Sequence, residues 1–219
     1  MEFDEVVRRR RMVRHYDPDR PIPPELVDKI VKHALRAPSA GFSQGWSFLV
    51  LTEQKDRDLY WASTTGGTDE PALRGEWLER IRTAPLIIVC FSNKSVYLDR
   101  YAQADKGWTD RDEAHWPVPY WDIDTGFAAL LMHLTAVNDG LGSCFIGLPV
   151  QTIRDFKDAF GVPDEFTPIG TLTVGYRVAD KRSPSLKRGH RPIDDVVHHG
   201  RWAATGTSSS SGEGDAGRG

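Results

Sequence analysis

The chain has 219 residues, 39% hydrophobic and 27% charged, with a formal net charge of −3. That length suits one domain with a sizeable core, and the near balance of charge speaks against a general nucleic-acid binder, which would carry a basic stripe along one face. The two cysteines, Cys90 and Cys144, lie in apolar stretches with no Cys-x-x-Cys spacing, so they read as small buried hydrophobes in a reducing compartment.

The N-terminal residues are acids and arginines, not the apolar core of a signal peptide. The longest apolar run, Phe127 to Leu134, contains His133 and is too short to span a bilayer. The expectation is a cytoplasmic protein with neither a membrane nor a nucleic-acid partner.

In chain order, Glu2 to about Arg11 suits a short helix with Glu2, Asp4 and Glu5 at its positive end; if it continued further, Arg10 and Arg14 would share one face. Asp17-Pro18-Asp19 is a turn, and Pro23-Pro24 introduces an amphipathic helix over 25–36. A loop follows over 38–46, then a strand over 47–52 and a helix over 55–63. Thr64 to Thr68 breaks that helix, and Glu70 to Thr83 resumes as another. Leu86 to Phe91 is a continuous β-prone run, as expected of a strand buried on both faces. From Asn93 to Tyr120 no period is visible. This segment carries Tyr97, Tyr101, Trp108, Trp116 and Tyr120, with Trp121 just beyond, and reads as a long loop, either a functional lid or interface arm or a loop folded onto its own aromatics. Asp122 to Asp139 is an apolar helix, with Phe127, Leu130, Leu131, Leu134 and Val137 expected at the core or across a dimer interface. Strands over 142–146 and 169–176 flank a helix over 152–160. The basic segment Lys181 to Arg191 follows, and the Gly/Ser-rich residues 203–219 read as a disordered tail behind a single domain over 1–202.

Two motif matches fail on context. Gly41-Phe42-Ser43-Gln44-Gly45 spells a nucleophile elbow, but a helix leads in and a strand leads out, the reverse of what that turn needs. Gly140-Leu141-Gly142 follows a helix and enters a strand, so it cannot cradle a dinucleotide phosphate at a helix start. The histidines show no ligand spacing, so no metal is expected.

What remains is the cluster Arg8, Arg9, Arg10, Arg11 and Arg14, a concentration of planar, permanently charged donors suited to a phosphate. A second basic group, Lys187, Arg188 and Arg191, lies near the other end.

Taken in order, Arg10-Arg11-Met12-Val13-Arg14-His15-Tyr16, then Ala37-Pro38-Ser39 through Gln44-Gly45-Trp46, then Gly140 to Gly147, Ile169 to Tyr176 and Lys187 to Pro192, the chain resembles the nitroreductase-like family of FMN-dependent oxidoreductases. The resemblance implies an α+β, three-layer fold, a central mixed sheet flanked by helices, and an intertwined homodimer with FMN at its interface. It implies that Arg10, Arg11, Arg188 and Arg191 clamp the flavin phosphate, with Lys187 a weaker candidate and Met12 alongside. Arg14 would approach the ring and stabilise negative charge there. Pro38, Ser39, Ala40, Phe42 and Gln44 would belong to the loop contacting the flavin from the partner subunit, and Phe145, Ile146 and Gly147 to the segment near the ring. The implied reaction is ping-pong transfer of hydride from NAD(P)H, through flavin N5, to a small electron-poor acceptor such as a nitroaromatic or quinone. Three positions depart from the family pattern: Met12 for Ser, Phe42 for Asn and Gly45 for Pro. These departures leave open a deazaflavin, a dedicated metabolite oxidation or dehalogenation, or a non-enzymatic flavin-binding protein.

Overall fold

Leu86–Ser92 (β2) is buried at all seven positions, and its alternating side chains define the two faces of the fold. Leu86, Ile88 and Cys90 join one apolar cluster, while Ile87, Val89 and Phe91 join the other. The computed structural model describes residues 1–66, 75–179 and 184–202. Its sheet has the order β1-β2-β4-β3, with β1 Trp46–Leu51, β3 Gly142–Ile146 and β4 Thr167–Gly175. All three pairings are antiparallel. The mixed character expected from the sequence reduces to one isolated parallel bridge, Met12 to Ser143, on the outer edge of β3.

Helices cover both faces. On the first lie α2 (Pro24–Ala34) and α6 (Tyr120–Asn138), which contribute Ile30, Ala34, Ala128, Met132 and Ala136. On the second lie α3 (Gln54–Thr65), α4 (Glu76–Ile81) and α7 (Ile153–Phe160), which contribute Tyr60, Trp61, Ile81 and Phe156. The result is the expected three-layer α+β arrangement. Cys90 and Cys144 are both buried and unpaired, and burial pushes the Cys90 thiol up to about 12.

Four expectations need correction. The first helix, α1 (Phe3–Arg9), stops at Arg9; Arg10 turns extended at φ −56°, ψ 125°, so Arg10 and Arg14 share no helical face. The cause is the sheet: Val13 N–H donates to the Ser143 carbonyl at 2.9 Å, and the fully buried Tyr16 bridges to Arg177. Second, the stretch after β2 is not irregular throughout. It begins with α5 (Lys94–Tyr101), capped where the Asn93 side chain accepts from the Val96 N–H. Third, α6 buries a face of small and polar residues, Asp124, Thr125, Ala128, Ala129, Met132, His133 and Ala136, and leaves Phe127 and Leu130 44% and 48% exposed. Its flat side fits against the sheet, so the larger apolar residues point outward. Fourth, the helix expected from Glu70 is seen only as α4; residues 67–74, like the expected tail 203–219, lie outside the described residues.

Residues 1–180 form one compact unit and 181–219 a second. Within the second, Pro184–Arg188 and Ile193–Asp195 are short 3-10 turns, and Arg191 donates to the Asp195 carbonyl at 3.0 Å. No helix among the described residues is long and apolar enough to cross a membrane.

Candidate functional site

The extended segment 10–16 lies against the outer edge of β3. The Arg10 charge acts on His133 of α6. That of Arg14 acts on Cys144 of β3, which shares the α3/α4/α7 cluster with Val13. Arg11, expected to share a phosphate clamp with Arg10, lines an open cavity with Arg9 and Arg177.

His133 is buried within α6. Its Nδ1 lies 2.5 Å from the Ser143 hydroxyl, while its buried Nε2 has no hydrogen-bond partner. Burial, with the Arg10 charge second, lowers its pKa to about 4. It is a neutral imidazole with one polar atom unfilled. Beyond the bridge at Met12, Phe145, Ile146 and Gly147 make no backbone hydrogen bond outside the β4 ladder among the described residues, so this edge of β3 offers free donors and acceptors. Gly170 opposite them is obligatory, since a Cβ there would come within 2.3 Å of the Phe145 ring.

The 38–45 loop is held from below. Asp124, 3% exposed, accepts from the Ala40 N–H and the Tyr97 hydroxyl, each at 2.8 Å. Burial first, then this carboxylate, raises the Tyr97 pKa, so the phenol stays a donor. Arg100 donates to the Gly41 carbonyl at 2.9 Å while two of its nitrogens grip Asp105 at 2.7 Å. The backbone is tight: Gly41, Phe42 and Gln44 all have φ between 54° and 60°. A Cβ at Gly45 would come within 2.6 Å of Tyr97, which accounts for glycine there. The Ser39 hydroxyl accepts from the Gln44 N–H at 3.1 Å, leaving its own proton to donate. Pro38 and Gln44 are exposed, and Phe42 is 75% exposed. Ser43 donates to the Ala40 carbonyl and leads into β1, so it is no strand-to-helix elbow.

The aromatic segment packs on itself and on this loop. Trp116 meets Tyr97, Tyr101, Trp108, Tyr120 and Trp121 at centroid distances between 4.5 and 6.0 Å.

Residues 7–176 match the profile of the nitroreductase family. The chain belongs to that family. Among relatives of this nitroreductase-family chain, a protein of Archaeoglobus fulgidus provisionally named an NADH dehydrogenase/NAD(P)H nitroreductase is 27% identical over 88% of this chain and 94% of its own length. Human iodotyrosine deiodinase 1 is 24% identical over 90% of this chain and 68% of its own. A solved structure from Exiguobacterium sibiricum, provisionally named a nitroreductase and in complex with FMN, superposes with a TM-score of 0.68 at 21% identity, covering 90% of this chain and 97% of that one.

Motif order in the sequence indicated Arg10, Arg14, Ser39 and the Phe145 segment. It missed Asp124, Tyr97, Arg100, His133 and Arg177. An acid and a lone histidine inside a largely apolar helix were the available signals for Asp124 and His133; the others show their roles only through long-range contacts. Arg188 and Arg191 belong to the second unit.

Proposed function

We propose that the chain is an FMN-dependent NAD(P)H oxidoreductase working as a homodimer on a small electron-poor acceptor. Membership of the nitroreductase family supports an oxidoreductase. The observation that carries the cofactor reading is the pairing of two guanidinium groups, Arg10 and Arg14, with the free edge of β3 at Phe145–Gly147. This donor set fits a phosphorylated flavin: permanent cations for the phosphate, backbone groups for the polar ring edge, and a buried His133 Nε2 without a partner. When bound, FMN would supply hydride transfer at N5 between NAD(P)H and the acceptor.

This chain's own residues would bind and orient. Arg10 would hold the phosphate. Arg14 would set a fixed positive charge where the ring gains negative charge, so its contribution would fall on the rate more than on affinity. Ser39, Ala40 and their neighbours, braced by Asp124 and Arg100, would contact the flavin from the partner subunit. Met12 and Phe42, where the family carries Ser and Asn, make this site less polar.

The test is the absorption spectrum of the purified protein, followed by anaerobic NADPH. A flavin spectrum that bleaches supports the reading; protein that stays colourless after incubation with FMN overturns it. A second reading, reductive dehalogenation of a small aromatic substrate, is favoured by the deiodinase relatives. Release of iodide from a halogenated phenol by the dithionite-reduced protein, without turnover of nitroaromatics, would select it.

A further inference from the structure

The 38–45 loop is held in a shape that it would not keep alone. Phe42 and Gln44, neither of them glycine, stand in the left-handed region at φ 55° and 54°, and the Phe42 ring is largely exposed. Such backbone persists only where its surroundings hold it, and the holding groups come from α5, its N-cap and α6. Asp124 accepts from the Ala40 N–H at 2.8 Å, the Asn93 N–H donates to the Gly45 carbonyl at 2.7 Å, and Arg100 Nε donates to the Gly41 carbonyl at 2.9 Å. No backbone N–H among the described residues donates to that carbonyl. The guanidinium therefore fixes the peptide between Gly41 and Phe42.

Arg100 is itself aimed by a second residue. Its Nη1 and Nη2 each donate to one oxygen of Asp105 at 2.7 Å, and Nη1 also reaches the Gln103 amide oxygen at 3.0 Å. A planar fork gripped at both tips is held in one orientation, which leaves Nε turned to the loop. The same hydrogen bonds hold the Asp105 carboxyl below the usual carboxylate range. Asp105 lies in the turn that leads from α5 into the aromatic stretch.

Two plainer roles are open to Arg100. It stands in the last turn of α5, where a cation faces the negative end of the helix, and an exposed ion pair contributes little by itself. Neither accounts for the bond from Nε, which spans 59 positions of sequence to reach the loop. The next residue, Tyr101, presses on the same glycine: a Cβ at Gly41 would come within 2.7 Å of its ring. That ring meets Trp108 and Trp116 at 4.8 and 4.5 Å. The loop and the aromatic stretch thus bear on each other through adjacent residues, one polar and one apolar.

Resting on the flavin reading above, we propose that Arg100 and Asp105 are positioning residues for the cofactor. Asp105 orients the Arg100 fork, the fork sets the Gly41 carbonyl, and the loop is thereby held in the form that meets the flavin. An exposed carboxylate that touches neither cofactor nor acceptor then governs how long the cofactor stays and what surrounds its ring.

The experiment compares the FMN-loaded parent protein with Asp105→Asn, Arg100→Gln, their double variant and Asp105→Glu. It reads hydrogen exchange of the peptide spanning 38–46, the rate at which free-flavin fluorescence appears on dilution, and the visible circular dichroism band of the bound flavin. Arg100→Gln should speed exchange and release on the order of tenfold, and Asp105→Asn about threefold, each with an altered band. The double variant should match Arg100→Gln, because the two residues act in series. Asp105→Glu, which keeps the carboxylate, should return the band and most of the release rate to those of the parent. Exchange in β2 is the control for folding and should not change; should it rise in Arg100→Gln, Arg100→Lys takes its place. Additive effects of the two changes overturn the proposal, as does an Asp105→Asn protein indistinguishable from the parent. Faster loop exchange with release and band unaltered also overturns it, because the pair would then serve the fold alone. Protein that takes up no FMN defeats the flavin reading and this proposal together. FMN bound alike by every variant defeats this proposal and leaves the flavin reading standing.

Discussion

At the scale of single residues, segment 10–14 separates tasks that its sequence runs together. Arg10→Ala removes a charge-assisted contact to the proposed phosphate, so FMN affinity should fall on the order of tenfold to a hundredfold, with the reduction rate of the remaining holoprotein little changed. Arg14→Ala should do the reverse, slowing reduction by NADPH in stopped-flow while leaving FMN affinity nearly intact. If both variants merely lose flavin, the division is wrong. His133 carries a different kind of prediction. Its folded pKa of about 4 lies below the usual value of 6.5. As pH falls through about 6.5 the unfolded chain takes up a proton that the folded chain refuses until about 4. The unfolded state then binds more protons, so stability is intact above this window and falls within it, on the order of 3 kcal/mol across its whole width. Urea midpoints measured at about pH 7 and about pH 5 should therefore converge in His133→Asn relative to the parent protein.

At the scale of elements, the 38–45 loop shows how far a functional segment can depend on its supports. Gly41 has φ +60°, and a Cβ there would come within 2.7 Å of Tyr101. Gly41→Ala should cost about 1–2 kcal/mol through the left-handed backbone alone, lower the thermal midpoint, and speed FMN release, because the loop must retreat from α5. The sequence made the elements with a strong period legible: β2 by its unbroken apolar run, α2 and α6 by helical spacing, β3 to the residue. It left α5 unread, because that helix buries chiefly Tyr97, and its role is set by Asp124 and Gly45, both remote in sequence. The buried side of α6 was also hidden. Size alone points to Phe127 and Leu130 as core, whereas close approach to a sheet selects Ala128, Ala129, Met132 and Ala136. The candidate site divides likewise. Its arginines stand in a recognisable motif, but which way each one faces depends on the bridge to Ser143, a contact no local pattern encodes.

At the scale of the whole molecule, that inverted helix bears on assembly. Tyr120, Ile123, Phe127 and Leu130 recur at helical spacing on the exposed side of α6. A continuous apolar stripe on a central helix is unusual for a surface that faces water alone. A second copy of the chain could cover it by a two-fold contact, in which each stripe meets its counterpart. Leu130→Glu puts a charge at its middle. Because Leu130 is about half exposed in the single chain, the fold should lose little, within about 0.5 kcal/mol, and far-ultraviolet circular dichroism should match the parent. Light scattering should show a shift from dimer to monomer, since an unpaired carboxylate would be buried in the interface. Flavin should leave with the partner, because the Ser39 loop is proposed to reach the cofactor from the other subunit. A variant that stays dimeric and yellow would place the interface elsewhere and return the exposed face of α6 to solvent. A folded monomer that keeps FMN would show instead that one chain completes the site, and the partner-loop assignment for Ser39 and Ala40 would fall while the Arg10 and Arg14 assignments stood.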